Sequence, residues 1–338
     1  MTTYRAFEVR GSREFELVER EVSEPPAGHV RLRVEACGIC HSDMVAVEGM
    51  RPDPSSPVVP GHEAVGVIDA VGPGVRPWRV GERVGVGFLN GHCGVCDFCR
   101  RGDFVNCQDQ PATGSDVDGG YAEMMTARAS GLVRIPDALG PIEAAPLLCA
   151  GLTVFSALRQ IDNSPGALVA VQGIGGLGHL AVQYANKLGF RVAAIARGTE
   201  KAELAKQLGA DYYIDSAVED PGEALRGLGG AAAVVATAAS GASMSPLVPG
   251  LAPRGRMVVV GAAADPIQVQ TMDLIFGTRT VSGSLTGSSI DNEDNLRFAE
   301  ARNVRPMTEV MTFNEAPRAY ERMMTGDARF RIVLDVAA

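Results

Sequence analysis

The chain lacks an excess of positive charge and has no apolar run long enough to span a membrane. Its 31 Lys and Arg residues are outnumbered by 40 Asp and Glu residues, which gives a formal net charge of −9. We therefore expect neither nucleic acid nor an anionic membrane as a partner. The longest apolar runs, such as MVVVGAAA, are of strand length, and the segment MTTYRAFEVRGSREFELVER lacks the apolar core of a signal peptide.

The composition is that of a soluble globular protein with a full core. Hydrophobic residues make up 46% of the 338 residues and charged residues 21%. This length is sufficient for two domains of ordinary size. No internal repeat or low-complexity linker is evident in the sequence.

The sequence pattern of the chain changes at about residue 150. Before that point, short alternating runs such as HVRLRVEAC and GHEAVGVIDAVG predict the antiparallel strands of a β-rich, partly barrel-like domain. From about residue 165, strand-like and helix-like segments alternate, beginning with ALVAVQG, LGHLAVQYANKLG and FRVAAIA. This alternation predicts a doubly wound parallel sheet. From about residue 284, a helical NLRFAEARN and a final FRIVLDV strand are expected to return to the first domain.

Four of the seven cysteines lie close together, in the segment GHCGVCDFCRRGDFVNC. They are Cys93, Cys96, Cys99 and Cys107, with the spacing C-x2-C-x2-C-x7-C. Four thiolates that face one centre complete the tetrahedron of a structural zinc site. The spacing therefore predicts a zinc lobe at about residues 90–108, against the alternative of free or disulfide-bonded cysteines. Cysteines that stay reduced as metal ligands favour a cytoplasmic location.

A second, open metal site is predicted from two segments and a distant cysteine. The segments are ACGICHSD and PGHEAVG, and the cysteine lies in LCAGLT. Catalytic zinc usually has three protein ligands and an open fourth position. Cys40, His62 and Cys149 supply two sulfurs and one imidazole for such a site. Each residue alone has a structural alternative, since cysteine is often a small buried hydrophobe.

The segment QGIGGLGH predicts a dinucleotide-binding turn. It contains Gly173-x-Gly175-x-x-Gly178 between a predicted strand and a predicted helix. The first glycine permits the tight turn, the second lets the backbone approach a pyrophosphate, and the third lets the helix pack close to the strand. The helix N-terminus offers amides and a partial positive charge to the phosphates. Gly176 and Leu177 complete the predicted turn.

The acidic residue that would hold the ribose 2′-hydroxyl of NAD is absent where the second strand ends. That place is occupied by Ala196, Arg197, Gly198 and Thr199, and Glu200 lies one step into the next helix. An arginine with small neighbours suits the 2′-phosphate of NADP. We therefore expect these four residues to bind the adenosine end of the cofactor, with NADP preferred over NAD. The alternative is that Arg197 is a solvated surface residue.

The order of these motifs resembles that of the zinc-dependent alcohol dehydrogenases of the medium-chain dehydrogenase/reductase superfamily. GICHSD, PGHEAVG, the four-cysteine lobe, LCAGLT and GIGGLG follow one another, and the resemblance spans essentially the whole chain. It implies an α/β fold with a GroES-like β-rich catalytic domain at residues 1–150 and 284–338. A Rossmann domain would occupy residues 151–283. We also expect a homo-oligomer, either a dimer or a tetramer.

The resemblance implies roles for residues around the zinc ion. Cys40, His62 and Cys149 match the ligands of the catalytic zinc. Glu63 matches a carboxylate behind the metal that can coordinate it transiently. Asp43 matches the carboxylate that orients the ligand histidine.

It also implies roles toward the substrate and the cofactor. Ser42 matches the hydroxyl that contacts the substrate oxygen and passes its proton on. The expected cofactor contacts are Thr153 at the nicotinamide, His41 and Arg331 near the pyrophosphate, and Val260. Cys37 and His92 match no ligand role.

The implied reaction is hydride transfer between a nicotinamide cofactor and an alcohol with its aldehyde or ketone. Zinc would act as the Lewis acid, with a second zinc ion in the lobe, so that each chain would bind two. In one departure from many relatives, Val45 stands where a histidine would deliver the proton to solvent.

Two alternatives belong to other classes of protein, and a third, a polyol dehydrogenase, belongs to the same superfamily. A zinc-free quinone-reductase-like relative would lack the zinc ligands. A non-catalytic, zinc-organised binding protein would not need Ser42 or Thr153. A polyol dehydrogenase typically has glutamate as its third ligand, where this chain has Cys149. Pocket walls, with Met50, Phe88 and Phe276 as candidates, do not identify the substrate.

Overall fold

The structure, a computed structural model, describes residues 2–11, 13–162 and 165–338. The chain forms two compact units, one made of Met1–Leu152 with Gly287–Ala338 and the other of Thr153–Thr286. These boundaries lie close to the predicted ones at residues 150 and 284. The first unit contains both ends of the chain, and the second contains the alternating strands and helices.

The strands of the described residues are numbered in chain order. They are β1 (Thr3–Val9), β2 (Phe15–Glu21), β3 (His29–Ile39), β4 (Ala64–Val71), β5 (Arg83–Val86), β6 (Met124–Arg128), β7 (Leu132–Arg134), β8 (Leu168–Gln172), β9 (Arg191–Ala196), β10 (Tyr212–Asp215), β11 (Ala231–Ala236), β12 (Leu251–Val259), β13 (Thr280–Gly283), β14 (Thr308–Thr312) and β15 (Arg331–Asp335).

The α-helices are numbered in the same way. They are α1 (Met44–Val47), α2 (Asp97–Arg100), α3 (Pro141–Pro146), α4 (Leu152–Arg159), α5 (Gly178–Lys187), α6 (Ala202–Gln207), α7 (Pro221–Gly227), α8 (Gly241–Met244), α9 (Thr271–Gly277), α10 (Ser289–Arg302) and α11 (Ala316–Met324). Short 3₁₀ turns occur at His41–Asp43, Phe104–Asn106, Ala129–Gly131, Ser245–Leu247 and Phe313–Glu315, and a π turn occurs at Leu147–Gly151.

The first unit contains a sheet with the strand order β14-β15-β3-β4-β5-β7, and β6 also pairs with β3. Its pairs are antiparallel, as predicted, except that β14 and β15 run parallel. The long strand β3 alternates buried and more exposed residues until its last four residues, which are all buried. This buried end of β3 leads directly to Cys40.

The second unit contains a six-stranded parallel sheet in the order β10-β9-β8-β11-β12-β13. In order of appearance along the chain this is 3-2-1-4-5-6, the order of a doubly wound dinucleotide-binding fold. The strand order reverses next to β8, so the carboxyl end of β8 lies where such folds bind ligands. The predicted doubly wound sheet is confirmed.

One helical stretch, Pro141–Arg159, is long and apolar enough by length and composition to cross a membrane, which the sequence analysis overlooked. Within its most apolar window, 67% of the residues are buried inside the protein. Burial to that degree is typical of a core helix.

Candidate metal centres and nucleotide site

The four cysteines of the lobe are brought together by two short turns. The side chains of Cys93, Cys96, Cys99 and Cys107 converge around one point. The Sγ atoms of Cys93 and Cys99 are 4.0 Å apart, those of Cys96 and Cys107 4.0 Å, and those of Cys93 and Cys107 3.6 Å. Sulfurs at about 2.3 Å from a tetrahedral zinc ion would be separated by about 3.8 Å, so the donor set fits zinc.

Backbone amides in this lobe donate hydrogen bonds to cysteine sulfurs, which stabilises the thiolate form. The amides of Val95 and Cys96 donate to Sγ of Cys93, and the amide of Asp109 donates to Sγ of Cys107. The amides of Cys99 and Gln108 lower the pKa of the Cys96 thiol to about 6. Burial raises the pKa of Cys99 to about 12. A bound dication would favour the thiolate form of all four residues.

Strand register brings the ligands of the second cluster together. Cys37 near the end of β3 pairs with Ala64 at the start of β4, so Cys40 and His62 lie beside each other just beyond the paired residues. In the next pair, Ile332 of β15 lies opposite Ile39, which places Arg331 at the same end of the sheet. Cys149 reaches this end from the π turn at Leu147–Gly151.

The second cluster has the donor geometry of an open zinc site. One ligand atom each from Cys40, His62, Glu63 and Cys149 lies within 4.8 Å of all the others. The Sγ atoms of Cys40 and Cys149 are 3.9 Å apart, which suits a shared metal and is far too long for a disulfide. Nε2 of His62 is buried and has no hydrogen-bond partner among the described residues. A metal ion would satisfy this nitrogen.

The two thiols of this cluster influence each other's ionisation. The hydrogen bond between them holds the pKa of Cys40 well below its usual range, with the nearby His62 as a further cause. The same contact, together with burial, raises the pKa of Cys149 well above its usual range. Without a cation, this pair therefore favours one thiolate and one thiol. A zinc ion would favour the thiolate form of both.

Asp43 lies against His62, the residue that the resemblance expects it to orient. Its Oδ1 lies 2.8 Å from Nδ1 of His62, which leaves Nε2 as the ligand atom. Its Oδ2 accepts a 2.9 Å hydrogen bond from the amide of Cys40 and a 2.7 Å hydrogen bond from the hydroxyl of Tyr121. Burial, followed by the charge of Asp43, raises the pKa of Tyr121 well above its usual range, so the phenol keeps the proton that it donates.

Tyr121 was missed by the sequence analysis. It is fully buried, and its backbone amide donates to the carbonyl of Pro60 in the loop that carries His62. The only sequence signal was its place in the segment GGYAEMM, ahead of a predicted strand. Tyr121 is therefore bound by its backbone to the His62 loop and by its hydroxyl to the carboxylate that orients His62.

Glu63 and Arg331 form a buried ion pair behind the cluster. Nη2 of Arg331 contacts Oε1 of Glu63, and both side chains are almost completely buried. Burial raises the pKa of Glu63 to about 8, although the charge of Arg331 opposes this shift. Oε2 of Glu63 has no hydrogen-bond partner among the described residues. The structure thus places Arg331 against Glu63, and its predicted contact with a pyrophosphate stays a prediction.

His41 and Ser42 lie in the turn after Cys40, and both side chains are exposed. Phe88 packs edge-on against His62, with ring centroids 5.3 Å apart, so it lies beside the cluster. Met50 is largely exposed.

Cys37 is buried and belongs to neither cysteine cluster, whereas the ring of His92 packs against Phe104.

The glycine turn of the second unit has the predicted shape. Gly173 has a φ of +89°, which favours glycine. A Cβ on Gly178 would overlap the carbonyl oxygen of Gly173, whereas a Cβ on Gly175 would meet no protein atom within 4 Å. The turn therefore needs glycine at 178 for packing and leaves open space at 175, where a pyrophosphate could approach.

A cleft of about 550 Å³ adjoins this turn at the carboxyl ends of the strands. Arg197 and Lys201 contribute positive charge to its lining, and no carboxylate is among the described lining residues. Gly198 is held by a 2.7 Å hydrogen bond from its amide to Asp215. Thr199 is exposed in the same loop.

Three further predicted or candidate residues lie in the second unit. Thr153 is the second residue of α4, and Val260 follows β12. Phe276 on α9 is 80% exposed.

Comparison with known proteins identifies the family. Residues 26–137 match the alcohol dehydrogenase GroES-like domain, and residues 176–301 match the zinc-binding dehydrogenase family. The alcohol dehydrogenase notN of Aspergillus sp. (strain MF297-2) is 42% identical over 311 residues, which cover 92% of this chain and 91% of that protein. The chain belongs to the zinc-dependent alcohol dehydrogenases of the medium-chain dehydrogenase/reductase superfamily.

Solved structures of other dehydrogenases share its fold. The cinnamyl alcohol dehydrogenase SbCAD4 of Sorghum bicolor has a TM-score of 0.90 and 33% identity, covering 100% of this chain and 98% of that chain. A cinnamyl alcohol dehydrogenase of Helicobacter pylori, solved with NADP(H), has a TM-score of 0.87 and 25% identity, covering 99% and 98%.

The predicted family and the predicted combination of a GroES-like domain with a Rossmann domain are thus confirmed. The chain is an NAD(P)-linked zinc alcohol dehydrogenase, which transfers a hydride between a nicotinamide cofactor and an alcohol or carbonyl compound.

Proposed function

We propose that each chain binds two zinc ions with different tasks. A catalytic ion would be held by Cys40, His62 and Cys149, and a structural ion by the four cysteines of the lobe. The observation that carries the catalytic assignment is the buried Nε2 of His62, which faces two thiols and has no protein partner among the described residues. Three ligands leave the fourth position of a tetrahedron for substrate, whereas four cysteines close the other site.

The catalytic roles follow from the surroundings of each side chain. Zinc bound at the second cluster, by Cys40, His62 and Cys149, would supply Lewis acidity to the substrate oxygen. Asp43 holds the ring of His62 through Nδ1, and Tyr121 holds Asp43. Ser42, exposed in the turn after Cys40, would take up the hydroxyl proton when an alcohol is oxidised, and would donate a proton to the alkoxide oxygen when a carbonyl compound is reduced. Glu63, beside the ligands, would act as the alternative carboxylate ligand.

We propose that the cofactor is NADP rather than NAD. The support is the cleft beside the glycine turn, which has two cationic side chains and no carboxylate among its described lining residues. Arg197 is exposed and makes no ion pair within the part of the chain that the structure describes, so its guanidinium can pair with a 2′-phosphate. Gly173, Gly175, Gly176, Leu177 and Gly178 would hold the pyrophosphate, while His41, Arg331, Thr153 and Val260 would make the remaining cofactor contacts.

We also propose a cytoplasmic homo-oligomer. β13 is an edge strand of the six-stranded sheet, and the neighbouring helix α9 exposes Met272, Ile275 and Phe276. An unpaired edge next to exposed apolar side chains favours association with another chain.

The seven cysteines are free thiols, which suits a reducing compartment. Sedimentation of the purified enzyme and fractionation of cells test these two points.

The experiment that tests the reaction is a steady-state substrate panel in both directions with both cofactors. The panel contains primary alcohols, secondary alcohols and aryl aldehydes. We expect turnover that is lost on removal of zinc and restored by its return. Turnover that survives complete removal of zinc would contradict the proposed catalytic site.

A further inference from the structure

The ligand Cys149 lies in an irregular helical turn. Leu147–Gly151 forms a π turn between α3 and α4, and the amide of Leu152 donates back five residues to the carbonyl of Leu147. Such a turn contains one more residue than an α-helical turn and is frequently found at functional sites. Because each residue of an α-helix turns the chain by about 100°, the extra residue changes the direction in which the side chains of this turn point.

Two asparagines of α10 bind this turn from one side. Nδ2 of Asn292 donates a 2.9 Å hydrogen bond to the carbonyl of Leu148, and Nδ2 of Asn295 donates a 2.9 Å hydrogen bond to the carbonyl of Leu147. Nδ2 of Asn295 also lies 3.1 Å from Oδ1 of Asn292. Asn292 is 2% exposed and Asn295 is fully buried. Burial of two amides is costly unless their hydrogen bonds are made.

The chain at the end of β5 also packs closely against this turn. A Cβ on Gly85 would lie 2.6 Å from Cδ2 of Leu148, and a Cβ on Gly87 would lie 3.0 Å from the carbonyl oxygen of Leu148. A side chain at position 85 or 87 would therefore require neighbouring atoms of the turn to move. The carbonyl oxygen of Leu148 lies close both to Gly87 and to the amide of Asn292.

We propose that Asn292 and Asn295 are positioning residues for the metal ligand Cys149. Their amides hold the carbonyls of two consecutive residues in the π form of the turn, and this form keeps Sγ of Cys149 beside Sγ of Cys40. This role rests on the proposed catalytic zinc site. Without the two asparagine amides, the turn relaxes toward a regular helix. Sγ of Cys149 then no longer points toward the other ligands, although no ligand has been replaced.

The test uses Asn292→Leu, which is similar in size and removes the amide, and Asn292→Ser as a smaller change that disturbs folding less. The control is Glu293→Ala on the same helix, because Glu293 accepts hydrogen bonds from Arg134 and not from the π turn. Zinc release to a chelator is followed in the intact enzyme. Native alkylation mapped by mass spectrometry then shows which cysteines lose their protection.

We expect one of the two zinc ions to leave about 10–100 times faster from both Asn292 variants, the range typical of residues that support metal ligands. Cys40 and Cys149 should become alkylated, while the four cysteines of the lobe stay protected. Glu293→Ala should release zinc at the wild-type rate.

Unchanged zinc release in both Asn292 variants would overturn the positioning role. The same acceleration in Glu293→Ala would also overturn it, because the effect would then reflect general loosening of α10. A wild-type enzyme without two zinc ions would instead overturn the proposed metal site itself.

Discussion

At the scale of single residues, the second cluster is surrounded by buried groups that are not candidate metal ligands. Asp43 contacts three polar groups: Nδ1 of His62, the amide of Cys40 and the hydroxyl of Tyr121. The backbone amide of Tyr121 donates to the carbonyl of Pro60. Partners of this kind fix the tautomer and the direction of a ligand histidine. The phenol of Tyr121 is therefore part of the support for His62.

Tyr121→Phe should lower kcat/KM about tenfold, at the lower end of the effect of residues that support metal ligands. The ring is retained and one charge-assisted hydrogen bond to Asp43 is lost, so His62 is held less firmly. Zinc content and steady-state kinetics measure the effect. Tyr320→Phe is the matched control, because it removes a 3.0 Å bond from a phenol to the carboxylate of Glu48. Equal losses in the two variants would contradict a specific role for Tyr121.

Arg197 tests the preference for NADP. We expect NADP to be preferred over NAD at least tenfold in kcat/KM, a difference of about 1.4 kcal/mol. Arg197→Ala should remove most of this preference, because the 2′-phosphate loses its cationic partner. Arg191→Ala, at the opposite end of β9, should leave the ratio unchanged. A wild-type enzyme that prefers NAD would contradict the proposed cofactor but not the reaction.

At the scale of elements, the turn between β8 and α5 contains one glycine that is needed for packing and another that is needed for nucleotide binding. Gly178→Ala would force a methyl group into the carbonyl of Gly173, so we expect a loss of about 1–3 kcal/mol in the free energy of unfolding and weaker nucleotide binding. Gly175→Ala has room in the protein and should weaken nucleotide binding at unchanged stability. Thermal melts and nucleotide titration measure both effects. A destabilised Gly175→Ala would contradict this division.

The cysteine lobe is the second element with a distinct task. Cys99→Ser removes one ligand of a closed site, so we expect a lower Tm and loss of one zinc ion, because metal binding there contributes to folding. Turnover per folded molecule should largely remain. Val95→Ser places the same side chain at an exposed position of the lobe and should leave the Tm unchanged. A stable but inactive Cys99→Ser would refute the structural role.

At the scale of the whole molecule, the fold and the ligand types were predictable from local patterns. Cysteine spacing, the glycine turn and the alternation of strands and helices are visible in short segments. The supporting residues were not, because their partners are distant in sequence: Tyr121 lies 78 residues from Asp43, and Asn292 lies 144 residues from Leu148. Only strand register and helix packing reveal them.

Two other features depended on tertiary structure in the same way. Arg331 was expected near a pyrophosphate, and the register of β15 with β3 places it against Glu63. The π turn around Cys149 was not anticipated, since its segment reads as ordinary apolar helix. Both features lie next to the ligand cluster, where neighbouring elements set the local geometry.

The most direct test of the account is the zinc content of the wild-type enzyme and of Cys149→Ser, measured together with turnover and nucleotide binding. We predict two zinc ions per wild-type chain and one in Cys149→Ser, with turnover abolished and nucleotide binding largely intact, because the ligand cluster and the glycine turn belong to different parts of the chain. A wild-type chain with one zinc ion or none, or a Cys149→Ser enzyme that keeps two zinc ions and full turnover, would contradict the account.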